Sequence, residues 1–361
     1  LSKWKKLEAS RVFTVKEGLD NLGLQVDQIL RRHRLSKVPE DTHLAHFTSV
    51  ESLGKILSAY EDHRELSDYW PQPKLQPIPL SLWRSDVSCL NDPLEGRALF
   101  EFVKTASKRR RAKVWGKMMF DDDEWLGLEN TISEVFETPA GEPRSRQKPL
   151  RRVLIASFTM LAHGEEERLD LWRAYGINAA GVCLSMPLKI AIENLGEATP
   201  LYRVEYSELA KATTWRMLWN HLSAIRKAAR GSLPAEDPKG KIRPEDQSEI
   251  KRLCEKLFHV YKHAQYENER EVRLVHVVDS DEPDRYHKKG VFFGPGLRTD
   301  LSLNRVFSYS PPFFMASPDS RIIIGPRAKE ADRLASTLEA YFGMLWGDNA
   351  PAVRVSTVPY R

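Results

Sequence analysis

The period of apolar and polar positions changes repeatedly along this chain, and each change predicts an element. From Val15 the apolar residues Val15, Leu19, Leu22, Val26 and Ile29 form one helical stripe that ends near Arg31, Arg32 and Arg34. In HLAHFT, Leu44, His46 and Thr48 alternate with Ala45 and Phe47, which predicts a strand, and Ser49 caps a helix carrying Leu53, Ile56 and Leu57. The same period-two pattern predicts strands near 153–159, 181–186, 201–206, 269–278, 321–325 and 352–357. Helical patterns fill the spaces between them, from Leu94, from Lys211, from Ser248 and after Gly325-Pro326. These elements predict an α+β fold, a mixed or mostly antiparallel core sheet surrounded by helices. The expected organisation is an N-terminal amphipathic helical segment over 1–40 and one core domain over 41–330, with helical insertions near 94–137 and 211–265. A C-terminal helix and strand over 331–361 are expected to pack on that core.

One stretch stands out, YENEREVRLVHVV from Tyr266 to Val278. Read as a strand, it places Glu269, Glu271, Arg273 and Val275 on one face and Val272, Leu274 and His276 on the other. Two carboxylates and a guanidinium entering a core must be paired or used, because a lone buried charge is costly. An edge strand with solvated charges produces the same pattern, so the sequence leaves both readings open.

Composition narrows the classes. Hydrophobic residues make up 41% and charged residues 29%, which excludes a disordered chain. A net charge of +5, from 55 basic and 50 acidic residues, is too small to imply nucleic acid by itself. The local run KRRRAKVWGK, with Lys108, Arg109, Arg110, Arg111 and Lys113 around Trp115, is the candidate nucleic-acid patch, although such a run is also an ordinary solvated face. Three scattered cysteines fit reduced thiols, and no stretch reaches the roughly 18 apolar residues of a membrane span, so a soluble, cytoplasmic protein is expected. Asn91, Asp92 and Pro93 form a helix start, and His46 sits at a strand end before a helix N-terminus, a place where anions are held.

No CxxC pair, HExxH, P-loop, GxGxxG or GxSxG occurs. The polar residues that remain lie on separate elements, in the order His46, Ser157 with Thr159, Tyr175, Glu269 and Glu271. Read together, HFTSVESLGKIL, LNDPLEG, ASFT, LWRAYGINAAGVCLSM, LYRVEY, YENEREVRLV and IIIGP resemble the bacterial domain of unknown function 2971 family over about residues 43 to 330. Phe47 stands where typical members carry tyrosine. The order of elements is also similar, distantly, to ADP-ribosyltransferase folds. That similarity implies NAD as cofactor, with His46 orienting it, Tyr175 or Phe158 stacking on nicotinamide, and Glu269 or Glu271 stabilising a developing cation. Thr48, Asn91, Asp92 and Arg273 would complete the NAD site, with Glu271 expected to act because it lies deeper. No metal is expected. The implied roles are those of a toxin or phage-defence effector acting on nucleic acid or protein. Two other classes stay open: a non-enzymatic nucleic-acid or partner-binding module using the basic run, and a metal-dependent nuclease using Asp92, Glu269 and Glu271.

Overall fold

A computed structural model describes residues 14–36, 39–67, 82–86, 96–108, 120–136, 151–162, 164–197, 199–231, 242–279, 291–294, 305–309 and 317–360. The helices are α1 (Val15–His33), α2 (Val50–Ser67), α3 (Ala98–Lys108), α4 (Asp122–Val135), α5 (Leu169–Ala174), α6 (Leu188–Leu195), α7 (Glu208–Gly231), α8 (Pro244–Phe258) and α9 (Ala331–Trp346). The strands are β1 (Thr42–Thr48), β2 (Trp83–Asp86), β3 (Arg151–Ala162), β4 (Val182–Pro187) and β5 (Leu201–Arg203). They continue with β6 (Glu271–Asp279), β7 (Val291–Gly294), β8 (Arg305–Tyr309), β9 (Arg321–Ile324) and β10 (Ala352–Val355). The fold is α+β. Among the described residues no helix is long and apolar enough to cross a membrane.

Contacts divide the chain into two compact units. The first comprises Leu1–His33, Asp92–Leu150 and Glu205–Gln265, and its described elements are α1, α3, α4, α7 and α8. Leu22, Val26 and Ile29 of the α1 stripe are buried in it. Helix α4 opens with a capping box: the Glu124 amide donates to Asp121 Oδ1 at 2.7 Å, and Glu124 accepts from the Asp121 amide at 3.2 Å. Trp215 is fully buried and donates its indole N–H to the Leu99 carbonyl at 2.8 Å.

The second unit, Arg34–Asn91, Arg151–Val204 and Tyr266–Arg361, holds the sheet. Strand order is β10-β9-β4-β1-β3-β2-β8-β7, with β6 pairing β3 and β5. Every described pairing is antiparallel except β9 with β10. The 12-residue β3 is the axis. One edge pairs with β6 from Arg151 to Thr159, and the other is shared by β1 near its C-terminal end and by β2 near its N-terminal half.

The register settles which side chains share a face. Leu44, Phe158, Leu184, Val272, Leu274, Ile322 and Ile324 lie on the first face, in a core completed by Leu53 and Ile56 of α2, Leu188 and Ala191 of α6, and Leu338, Phe342 and Trp346 of α9. On the second face Ala45, Phe47, Leu161, Cys183 and Ile323 pack with Leu171 and Trp172 of α5. Both faces are covered by packed side chains, which is why β1 and β4 are buried along almost their whole length.

All seven stretches expected as strands contain strands; the 352–357 strand ends at Val355, and two others differ in ways that bear on the site. The sixth strand begins at Glu271, not Glu269. Arg270 takes a left-handed φ of 46°, and Ala264–Glu269 is a 3-10 helix, so Glu269 does not share the strand face of Glu271 and Arg273. The 201–206 strand stops at Arg203, after which the Val204 amide bonds the Glu271 carbonyl at 2.9 Å.

Candidate functional site

The polar residues of the sheet sort by face, and the sorting separates what the sequence grouped. Thr159 lies opposite Glu271 and Ser157 opposite Arg273, while Phe158 lies opposite Val272. Glu271, Arg273, Thr159 and Ser157 are therefore on the second face. His46, across from Leu184 and 5.7 Å from the Phe158 ring, is on the first. The structure does not bring His46, Phe158 or Thr48 to the face of Glu271, because an odd offset across a paired strand reverses the face. His46 is held in place by a 3.1 Å hydrogen bond between Nδ1 and the Ser157 carbonyl, which puts the proton on Nδ1. Burial pushes its pKa below the ordinary histidine value, and the carbonyl bond opposes the shift only in part.

Glu271 and Arg273 pair with each other. Arg273 Nε donates to Glu271 Oε1 at 2.7 Å and Nη2 to Oε2 at 2.8 Å, a two-pronged contact between side chains 1% and 8% exposed. A strand repeat of two residues is what permits it, since both side chains project from the same face.

Tyr175 and Glu269 do meet. The Tyr175 hydroxyl donates to Glu269 Oε1, joining the C-terminal end of α5 to the 3-10 turn before β6 across 94 residues of sequence. Tyr175 is 40% exposed. Around them Arg168 pairs with Asp170 and donates to the Asn268 carbonyl at 3.0 Å, and Arg270 pairs with Glu165 at 2.7 Å. The Ala162 amide and the Arg270 guanidinium hold the Glu165 carboxyl below the usual carboxylate range.

The turn that follows Tyr175 is backbone-strained. Ile177, Asn178 and Ala179 have φ of 51°, 51° and 64°, a left-handed run that costs L-residues about 1–2 kcal/mol each. Tertiary bonds hold it: Ala179 N–H to the Trp172 carbonyl at 3.1 Å, Gly181 N–H to Gly176 at 2.9 Å, Gly325 N–H to Gly181 at 2.8 Å and Arg327 N–H to Ala179 at 2.9 Å. The approach is so close that a Cβ at Gly325 would lie 2.2 Å from the Ala179 carbonyl oxygen, and one at Gly181 2.2 Å from that of Thr48. The glycines of the AYGINAAG and IIIGP blocks are thus demanded by the interlock that presents Tyr175.

Sequence reasoning missed a third cluster on the second face. Glu166 is fully buried, and its Oε1 accepts from Ser185 Oγ at 3.1 Å and from Arg321 Nη1 at 3.3 Å. His43 Nδ1 lies 3.2 Å from Ser185 Oγ. Because the one hydroxyl proton points at Glu166, Nδ1 of His43 must carry its own proton. Ser185 is fully buried, so this group is closed to a substrate and anchors structure. Its neighbours in sequence act likewise: Glu165 holds Arg270, and Glu167 holds Arg354 and Ser356. The only signal was the run Gly164-Glu165-Glu166-Glu167, which by itself reads as solvated.

Asn91, Asp92, Arg109, Arg110, Arg111 and Lys113 lie outside the described residues, and Lys108 closes α3 without a described side chain. Among the described residues no three His, Cys, Asp or Glu side chains group as metal ligands.

Residues 171–274 match the family described as protein of unknown function (DUF2971). The DUF2971 match contains Trp172, Tyr175, Glu269, Glu271 and Arg273, so the interlocked turn, the Tyr175–Glu269 contact and the buried pair all fall within it, whereas His46 lies before it. No curated protein and no solved structure matches the chain. The likeness to ADP-ribosyltransferase folds therefore rests on the order of residues alone.

Proposed function

We propose that the protein is an ADP-ribosyltransferase-like enzyme that uses NAD and acts on nucleic acid or protein, with Glu269 rather than Glu271 as the acting carboxylate. The observation that carries this reading is the contact between Tyr175 and Glu269, an accessible aromatic ring and a carboxylate drawn together from distant segments. The contact sets the carboxylate beside a ring that is 40% exposed. Glu271, by contrast, is compensated by a guanidinium that takes both its oxygens, and little of its field is left for a cation that develops as the bond to nicotinamide breaks. In this reading Tyr175 offers a face to the nicotinamide and Glu269 the negative charge, while Glu271 and Arg273 stiffen the strand behind them. His46 has no direct part, since it lies on the first face of the sheet, whereas Tyr175 ends α5, which packs on the second.

The test is NAD consumption by the full chain, with nucleic-acid and protein acceptors, in the presence and absence of divalent metal. Glu269→Gln is expected to abolish turnover with the fold intact, because the amide keeps the shape and loses the charge. Turnover retained in Glu269→Gln removes the residue from the mechanism. Metal-dependent cleavage of nucleic acid without NAD loss supports the nuclease class, and nucleic-acid binding without any turnover supports the binding-module class.

A further inference from the structure

Three consecutive residues, Asn268, Glu269 and Arg270, are each tied to the segment from Glu165 to Tyr175. Arg168 Nη2 donates to the Asn268 carbonyl at 3.0 Å, the Tyr175 hydroxyl donates to Glu269 Oε1, and Arg270 Nη1 donates to Glu165 Oε2 at 2.7 Å. The ties differ in what they fix. The one from Arg270 runs through a long side chain that is 46% exposed, so it does little to fix the backbone. The backbone after Glu269 is set by β3, whose Met160 amide donates to the Arg270 carbonyl at 3.0 Å, and the bond from Arg168 sets the backbone before it. The turn's internal bond, from the Arg270 amide to the Glu267 carbonyl at 3.1 Å, keeps the shape of the turn but does not place it against α5.

Arg168 is the N-cap residue of α5 and Tyr175 its C-cap, so the guanidinium and the phenol that hold the turn rise from the two ends of one short helix. That helix is anchored from below: Leu171 and Trp172 are buried, and the Trp172 indole N–H donates to the Glu166 carbonyl at 3.0 Å. Asp170 accepts from Arg168 Nε at 3.2 Å and from Nη2, which steadies the planar fork while Nη2 also reaches the Asn268 carbonyl. An ion pair whose carboxylate side chain is 57% exposed contributes little to stability, so the effect of the arrangement is geometric. We propose that Arg168 is a positioning residue, which keeps the Glu269 carboxylate on the Tyr175 hydroxyl by holding the carbonyl that precedes it. This inference rests on the reading of Glu269 as the acting carboxylate. A misplacement of about 1 Å at a reacting group can cost about a hundredfold in rate, so a turn held on one side only is enough to impair it.

The experiment uses the full chain with isotope-labelled tyrosine rings and follows the Tyr175 resonance, assigned by its loss in Tyr175→Phe, alongside NAD turnover. In the parent, Glu269→Gln is expected to shift that resonance, because it changes the acceptor of the phenol. With Arg168→Met already present, the same Glu269 substitution is expected to shift it by about half as much or less. Arg168→Met alone is expected to lower kcat for NAD at least about tenfold with KM within about twofold of the parent. Arg168→Lys keeps a charge beside Asp170 without the fork and is expected to show both losses in smaller degree, which keeps the test in force if the methionine variant fails to fold. A purely structural role lowers the melting temperature and leaves the Tyr175 response and the kcat of the folded variants unchanged, and that result overturns the proposal. So does a parent in which Glu269→Gln leaves the Tyr175 resonance where it was. A parent without NAD turnover whose Tyr175 response still depends on Arg168 leaves the hold on Glu269 standing and sinks the transferase reading.

Discussion

Removing Arg273 alone is expected to be among the most damaging single changes in the sheet-bearing unit. Arg273→Met keeps the length of the side chain and removes the two charged donors that Arg273 gives Glu271, at 2.7 and 2.8 Å, in a site where the Glu271 side chain is 8% exposed. The carboxylate that has lost this guanidinium either stays ionised in a buried site or takes up a proton. Taking up a proton at neutral pH costs about 3–4 kcal/mol for a group that ionises near its ordinary value when unfolded. That figure agrees with the roughly 3–5 kcal/mol seen when one partner of a buried pair is removed. The sign with pH follows: the variant's carboxyl is protonated in the folded state and ionised in the unfolded one, so the deficit shrinks as pH falls toward about 4. Glu271→Leu/Arg273→Met removes both charges and is expected to recover most of the loss, since a buried pair and an apolar replacement are often equivalent. The readout is amide exchange of Val272 to Val275 in β6, which reports this unit alone. A single-variant loss under about 1 kcal/mol, or a double variant as weak as the single, would refute the pair as an anchor.

Two further outcomes follow from particular side chains. His46 is kept neutral in the folded state by burial, so its contribution to stability is complete above its unfolded pKa and is lost as pH falls from about 6.5 toward its lower folded value. His46→Gln is expected to flatten the stability profile below about pH 6.5, and an unchanged profile contradicts the assignment. Gly325→Ala sets a methyl 2.2 Å from the Ala179 carbonyl oxygen and 3.0 Å from that of Gly181. It is expected to lower stability by about 2 kcal/mol or more and to loosen the 176–181 turn in amide exchange. A neutral effect means that the interlock is softer than the geometry indicates.

Much of the architecture was legible in the sequence because it is local. The alternation of Leu44, His46 and Thr48, or of Val272, Leu274 and His276, is a property of consecutive residues in an extended chain, and the stripe from Val15 to Ile29 is one of a helix. The pairing of Glu271 with Arg273 was foreshadowed for the same reason, since two residues apart on a strand is a fixed geometry. Even so, the strand's start was not readable: nothing local announces the left-handed Arg270 that detaches Glu269 from the strand face. Pairing register was equally hidden. Whether His46 faces Glu271 depends on whether β1 lies against Phe158 or against Ser157, a choice of one residue made by the packing of α2, α6 and α9 on one face and α5 on the other. The Glu166 anchor and the hold of Arg168 on the Asn268 carbonyl belong wholly to tertiary structure. Carboxylates and guanidiniums are solvated by default, and only the arrival of distant chain decides which of them lose their water.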